Sequence, residues 1–287
     1  MIDELLPPTP EERRLLDAAS THIRARVIAA VQYRVAVRPQ PGSEHELALQ
    51  GWRGNEPGAL AELLLVSAEF HFLTLASTLS SRELYPLGGY TLIRGAAEPS
   101  ARAAWLMDPN VGPKVRRARV LAERLNALIE RRKFKDQRRK AADRIKELIA
   151  DAEDLGHQVD DRNRPTHFGQ ARTSATTLFG QLLPGVASRD ADPVGADLYR
   201  ILSGFTHSVP WALLAQAETF QGESPGHKWA RIELRPKWLL GLLDQALTIH
   251  DIAQRRLAAQ IGQGSEAWDA LLTTIPERPD PQPLFER

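Results

Sequence analysis

The sequence predicts an all-α protein of about eight helices in one bundle-like domain. Three observations carry this reading. Apolar residues recur three and four apart through most of the 287-residue chain. Helix start signals stand ahead of several of those runs, while strand-like alternation is confined to short stretches. The composition, 43% hydrophobic and 25% charged, excludes wholesale disorder and a fibrous fold.

Taken in order, Thr9-Pro10-Glu11-Glu12 reads as an N-cap, a first-turn proline and a capping box. The helix continues through Leu16, Ala19, Ile23 and Val27 and should end near Tyr33. Alternation over 34–50, with Val35/Val37 and Leu47/Leu49, suits a minor β-hairpin and a loop equally well. Helices follow over about 57–80 and 84–107, the second interrupted by Pro99, which should kink or split it. From 111 to 155 no Gly or Pro follows Pro113, so the spacing predicts one very long helix, or one with a slight break. Its polar middle, Arg131 to Lys140, has no apolar face and should project from the body. A polar loop over 156–172 leads to short helices near 174–183 and 199–206. A turn of helix over 212–219 and an extended stretch over 229–235 follow. Pro236 opens a strong amphipathic helix, and Ser265 caps a last short one over 266–272. The helical domain spans 1–275. The Pro-rich stretch 276–287 reads as a tail, with Leu284-Phe285 available for docking.

Several function classes drop out. Without cysteine there are no disulfides, thiol nucleophiles, iron–sulfur clusters or Cys-type zinc sites. Neither a phosphate-binding Gly-x-x-x-x-Gly-Lys loop, a Gly-x-Ser-x-Gly elbow nor a Rossmann glycine pattern is present, and no cofactor is expected. The start of the chain lacks the basic-then-apolar pattern of a secretory signal. The most apolar run, Leu60 to Leu79, carries Glu62, Glu69 and His71 and reads as a buried core helix rather than a membrane span. The expectation is a soluble cytoplasmic protein that does not engage membranes.

Charge is unevenly spread. Lys114 to Lys146 holds 14 Lys or Arg against 4 Asp or Glu, a surplus of ten on a chain of net +1, so the rest is −9. Such asymmetry suits RNA or an acidic protein partner along 114–146. Arg131, Arg132, Lys133, Arg138 and Arg139 are the candidate RNA contacts, with Phe134 for stacking. The plainer reading is a solvated hairpin tip or partner-binding arm.

Two polar stripes lie on otherwise apolar helices. Arg94, Glu98 and Arg102 are spaced i, i+4, i+8, near Trp105, and would form a buried ion network or one wall of a pocket. Tyr199, Arg200, Ser203 and His207 form the second. Arg200 and His207 lie seven residues apart, nearly two turns, on one face with about 10.5 Å of rise between them. Histidine moves protons near neutral pH and arginine binds phosphate through two hydrogen bonds, a combination suited to phosphodiester cleavage. The plainer reading has His207 bonded to a core carbonyl and Arg200 solvated. His157, Asp160, Asp161 and His167 share a loop but fit no strong metal template, so no metal site is expected. His250-Asp251 resembles the paired ligands of HD phosphohydrolases but lacks a matching set elsewhere.

Arg200-Ile-Leu-Ser203-Gly-Phe-Thr-His207 resembles the Arg-x(4–6)-His signature of HEPN-like helical proteins. Arg94-x-x-x-Glu98 followed by Tyr199-x-x-Leu202-Ser203-x-x-x-His207 is similar to a pattern in a set of bacterial helical proteins. The resemblance covers roughly 90–220 and departs at Ile201, where active nucleases of this kind often carry a polar residue. It implies an all-α homodimer and a metal-independent RNA-cleaving or RNA-binding protein of toxin–antitoxin, phage-defence or stress systems. His207 would be the acid/base and Arg200 the phosphate ligand, with Tyr199, Ser203, Arg94, Glu98 and Arg102 lining the site. The alternative is a non-enzymatic interaction or scaffold module in which the same residues form a buried polar network.

Overall fold

The computed structural model describes residues 8–43, 46, 56–81, 86–163, 165–185, 194–209, 217–221, 228–232 and 236–277. Those residues are predominantly helical. Helix α1 (Pro10–Ala36) starts as the sequence specifies: the Thr9 side chain accepts from the Glu12 backbone, Glu12 bonds back to Thr9, and Pro10 fills the first turn. It runs past Tyr33, so Arg34 and Val35 are helical and the first strand of the hairpin considered over 34–50 does not form. Leu47 and Leu49 lie outside the described residues.

Helix α2 (Glu56–Leu79) and helix α3 (Pro86–Leu106) pack along much of their lengths, and α3 is the centre of the fold. Its small residues Ala96, Ala97, Ala101, Ala103 and Ala104 are fully buried, which brings neighbouring helices close. Pro99 neither splits nor ends α3. Burial on several sides outweighs the one backbone bond a proline forgoes. Arginines close the C-terminal end of α3: Arg256 Nη1 reaches Ala104 O at 2.7 Å, and just past the helix Arg116 Nη1 reaches Asp108 O at 2.7 Å. Arg119 bonds the Trp105 carbonyl and lies 4.9 Å over the Trp105 ring. Cations at this end also complement the helix dipole.

The stretch 111–155, expected as one very long helix or one with a slight break, is two helices, α4 (Pro113–Arg131) and α5 (Arg138–Asp154), joined by a full turn over 132–137. Folding back lets Leu121 and Leu125 of α4 meet Ile145, Leu148 and Ala152 of α5, with Phe168 closing a satellite core. A straight helix would leave both stripes wet, and their burial outweighs the continuous helix that propensity alone favours.

Helices α6 (Ala175–Leu182) and α7 (Val194–Thr206) pack on each other so closely that a Cβ on Gly195 would run into the Phe179 carbonyl. Strands β1 (Ala217–Gln221) and β2 (Lys228–Ile232) then pair antiparallel, Thr219 opposite Ala230. The extended stretch near 229 agrees with the sequence pattern. The helical turn expected over 212–219 is overturned from 217 on, where the chain is strand; 212–216 lie outside the described residues. Helix α8 (Pro236–Gln260) returns through the core against α3, and α9 (Glu266–Leu272) closes on it through buried Trp268. Ser265 precedes α9 but makes no side-chain cap. Nine helices stand among the described residues, against about eight expected.

Candidate functional site

The two polar stripes meet. Arg94 Nη2 on α3 donates to Tyr199 Oη on α7 at 3.2 Å, and its guanidinium lies 5.4 Å from the Tyr199 ring centre. Helix α7 is held for this contact by aromatic packing: Phe205 stacks on Tyr90 at 4.1 Å, and Phe179 meets Tyr199 edge-on at 5.1 Å. The i, i+4, i+8 spacing on α3 does what helical geometry dictates. Glu98 accepts from Arg94 at 3.4 Å and from Arg102 at 3.3 Å. Arg102 extends the chain to Glu123 of α4 at 2.7 Å, and Glu123 also takes Arg172 at 2.9 Å. One ionic line therefore runs from Tyr199 to Arg172, tying α7, α3, α4 and the loop before α6 together.

Arg200 and His207 stand apart from that line. Both are exposed, and Ser203 between them is half-buried. The side chain of Arg200 is 49% exposed and pairs with Asp197 one turn back at 2.9 Å. His207 lies one residue beyond α7 and caps it: its N–H bonds Ser203 O at 3.0 Å, and Val209 N–H closes on Gly204 O at 2.9 Å. Ser208 turns the chain with φ +52°, the left-handed conformation this helix ending requires. His207 thus projects where the chain leaves the helix, not into the core, and the plainer reading of a histidine spent on a buried carbonyl does not describe it.

The basic residues Arg131, Arg132, Lys133, Arg138 and Arg139 surround the α4–α5 turn, and all five are exposed, as is Phe134 at 63%. Lys133 pairs with Glu130 at 2.6 Å. Their setting is a hairpin tip, not the middle of one helix. Further down, Arg124, Leu128, Arg131, Arg144, Leu148 and Asp151 line a shallow groove of about 330 Å³ between the two helices.

The loop weighed above for metal is differently employed. Asp160 accepts from Thr166 N at 2.9 Å and His167 N at 3.1 Å and from the Thr166 hydroxyl. Those bonds outweigh desolvation and hold its carboxyl well below the usual range. Among the described residues no cluster of His, Asp and Glu is placed to hold a metal ion.

Among the described residues a buried polar cluster joins α1, α2, α8 and α9, and of it the sequence pattern marks only His250-Asp251. Glu69 on α2, 4% exposed at its side chain, takes both terminal nitrogens of Arg34 from α1. It also takes Gln254 Nε2 at 3.2 Å and faces His250 Nε2 at 3.5 Å. Next to it, Asp251 pairs with Arg26 and accepts from Trp268 Nε1 at 3.2 Å. Arg26 Nη1 lies 3.4 Å from His22 Nε2, and the other His22 nitrogen bonds Pro276 O at 2.8 Å. His250 is fully buried with Nδ1 unpartnered, and burial, only partly offset by Glu69, pushes its pKa down. For Glu69, burial pulls the pKa up, and bonds from His250 and Arg34 bring it below the usual value. The available signal is spacing: His22/Arg26 and His250/Gln254 are i, i+4 polar pairs inside apolar stripes.

Compared with known proteins, the chain matches no family model, no curated protein and no solved structure.

Proposed function

We propose that this chain is a HEPN-like, metal-independent endoribonuclease of a cytoplasmic stress or defence system. The observation that carries the reading is the outward presentation of Arg200 on α7 and His207 just beyond its end, set apart from the ionic line that anchors Tyr199. In this reading His207 takes the proton from a ribose 2′-hydroxyl as that oxygen attacks the adjacent phosphorus. Arg200 binds the non-bridging oxygens as their negative charge grows, and the 5′-oxygen leaves with a proton from an imidazolium. The products are a 2′,3′-cyclic phosphate and a free 5′-hydroxyl, with no metal and no redox step. The exposed basic tip supports the reading as an electrostatic landing site for the RNA backbone.

The test is purified protein with a labelled single-stranded RNA, with and without a chelator. Wild type should cut in both conditions. His207→Ala and Arg200→Ala should each lose about 10²-fold or more while helical content stays unchanged. Wild type inactive on every RNA tried, or a double alanine variant that cuts equally well, would overturn the enzyme. The second reading, a non-enzymatic interaction module, is favoured by one observation. Arg94, Glu98, Arg102 and Glu123 spend their charges on one another, as a structural tie would.

A further inference from the structure

The sequence reads α2 as a buried core helix, yet one long face of it is open to solvent. Between Ala59 and Ser77 every exposed residue of α2 is apolar or a small Ser or Thr, and none is charged. Leu63, Val66 and Phe70 stand out at 68%, 38% and 66% exposure, spaced i, i+3, i+7. Helix α1 carries a matching stripe: Ile28, Val31 and Val35 at 54%, 44% and 71%. The stripes adjoin. The helices run antiparallel, since Arg34 reaches Glu69 while Arg13 reaches the carbonyls of Leu79 and Ser81. Arg24, one turn before Ile28, donates to Ser77, two turns after Phe70, at 3.0 Å on the exposed side. The six side chains therefore form one continuous apolar face.

We infer that this α1/α2 face is the contact surface between two copies of the chain. Its six residues expose roughly 650 Å², more than the largest apolar patch usual on a monomer. Two copies joined there would bury about 1,300 Å², within the range of stable protein interfaces. A two-fold interface sets one patch against a second copy of itself, so apolar side chains on one copy meet apolar side chains on the other. The exposed positions of α2 carry no charge, with half-buried Glu62 beside Leu63 and Arg24 of α1 at the margin, which suits an apolar self-contact. A bilayer fits less well. The inner face of α2 holds the buried Glu69–Arg34 pair, so the helix cannot leave the fold to span a membrane. The end of the face toward Ser77 is edged by Thr74, Ser77 and one arginine, not by the cluster of Lys and Arg that holds proteins to anionic lipid. The inference stands whether or not the chain cleaves RNA.

Sedimentation equilibrium and light scattering on the full chain, from about 1 to about 100 µM, test it. Wild type should weigh twice 31.9 kDa. Phe70→Glu and Val31→Glu should each weaken association by about 100-fold or more, because each substitution enters a two-fold interface twice. Both side chains are already solvated, so circular dichroism and the melt of the monomer should not change, and Phe70→Leu should restore the dimer. A wild type that stays monomeric at the highest concentration overturns the inference. So does a dimer that survives both glutamates, or wild type binding to phosphatidylserine vesicles that Phe70→Glu abolishes.

Discussion

Replacing Glu69 with alanine should be among the most damaging single substitutions in this protein. The carboxylate is 4% exposed and both oxygens are engaged by Arg34, whose own side chain is 11% exposed, with Gln254 donating to one of them at 3.2 Å. Removing it leaves a guanidinium mostly out of water beside a fully buried His250 and Gln254, none of which gains a new acceptor. Breaking a buried pair from one side costs about 3–5 kcal/mol. Arg34 retains a little exposure and can recover some hydration, which places the expected cost near the lower end, about 3 kcal/mol. For a chain of this size that lowers the melting temperature by roughly 5 °C. The companion variant, Glu69→Leu with Arg34→Met, removes both charges and keeps the volume. It should recover at least about 1 kcal/mol of the summed single costs, a coupling expected for groups in direct contact. Thermal and urea melts followed by circular dichroism supply the numbers. A Glu69→Ala loss under about 1 kcal/mol, or strict additivity in the double variant, would refute the claim that the cluster is dry and mutually dependent.

Three further outcomes are expected. Acid should weaken the fold early: burial lowers the His250 pKa, and burial followed by Lys114 and Arg117 lowers that of His157. A folded-state value below the unfolded one near 6.5 means full stability above that pH and progressive loss below it. Glu69 adds loss of the same sign below about 4.5. Melts at about pH 7.5 and about pH 5.5 should show a fall that shrinks in His250→Gln. Asp197→Asn should release Arg200 from its 2.9 Å pair and tighten RNA binding several-fold at low salt, measured by fluorescence anisotropy; unchanged or weaker binding would remove Arg200 from the proposed site. Exchanging Arg131, Arg132, Arg138 and Arg139 for Gln should flatten the salt dependence of RNA affinity and leave the melt within about 2 °C, since exposed substitutions rarely exceed about 0.5 kcal/mol. Affinity indifferent to both salt and these substitutions would show that the tip is not the RNA contact.

What the sequence disclosed follows the range over which its signals act. The Thr9–Glu12 capping box and the Arg94–Glu98–Arg102 ladder depend on residues three or four apart, and helical geometry fixes such neighbours in advance. The α4–α5 turn has no such local mark. Without Gly or Pro between 114 and 155, the break depends on Leu121 and Leu125 finding Ile145 and Leu148, a contact visible only after folding back. Arg34–Glu69 and Glu69–Gln254 likewise join residues 35 and 185 positions apart. In the sequence His250-Asp251 is only a dipeptide, though its neighbours in the fold come from α1, α2 and α9. The α2 periodicity marks an apolar helix correctly, but an apolar residue facing solvent has the same letter as one facing the core.

The distribution of charge ties these features together. Near the root of the α4–α5 hairpin, basic residues have partners: Arg116 and Arg119 close the end of α3, and Glu123 holds Arg102 and Arg172. There Arg116 and Arg119 fasten the arm to carbonyls at the end of α3, and the arm's own Glu123 holds Arg102 and Arg172, so removing Glu123 would strand two arginines. Toward the tip the arrangement reverses. Seven Lys or Arg occur from Arg131 to Lys140 against Asp136 in the same run and Glu130 just before it, which pairs with Lys133, and all seven remain exposed. Packing does not require that concentration, because Leu121, Leu125, Ile145 and Leu148 already close the hairpin nearer its root. Like charges crowded on one turn repel and cost stability, however modestly in water. The root cations are therefore explained by the fold, whereas the exposed tip cations are not, and that contrast is why the RNA contact is proposed at the tip rather than at the root.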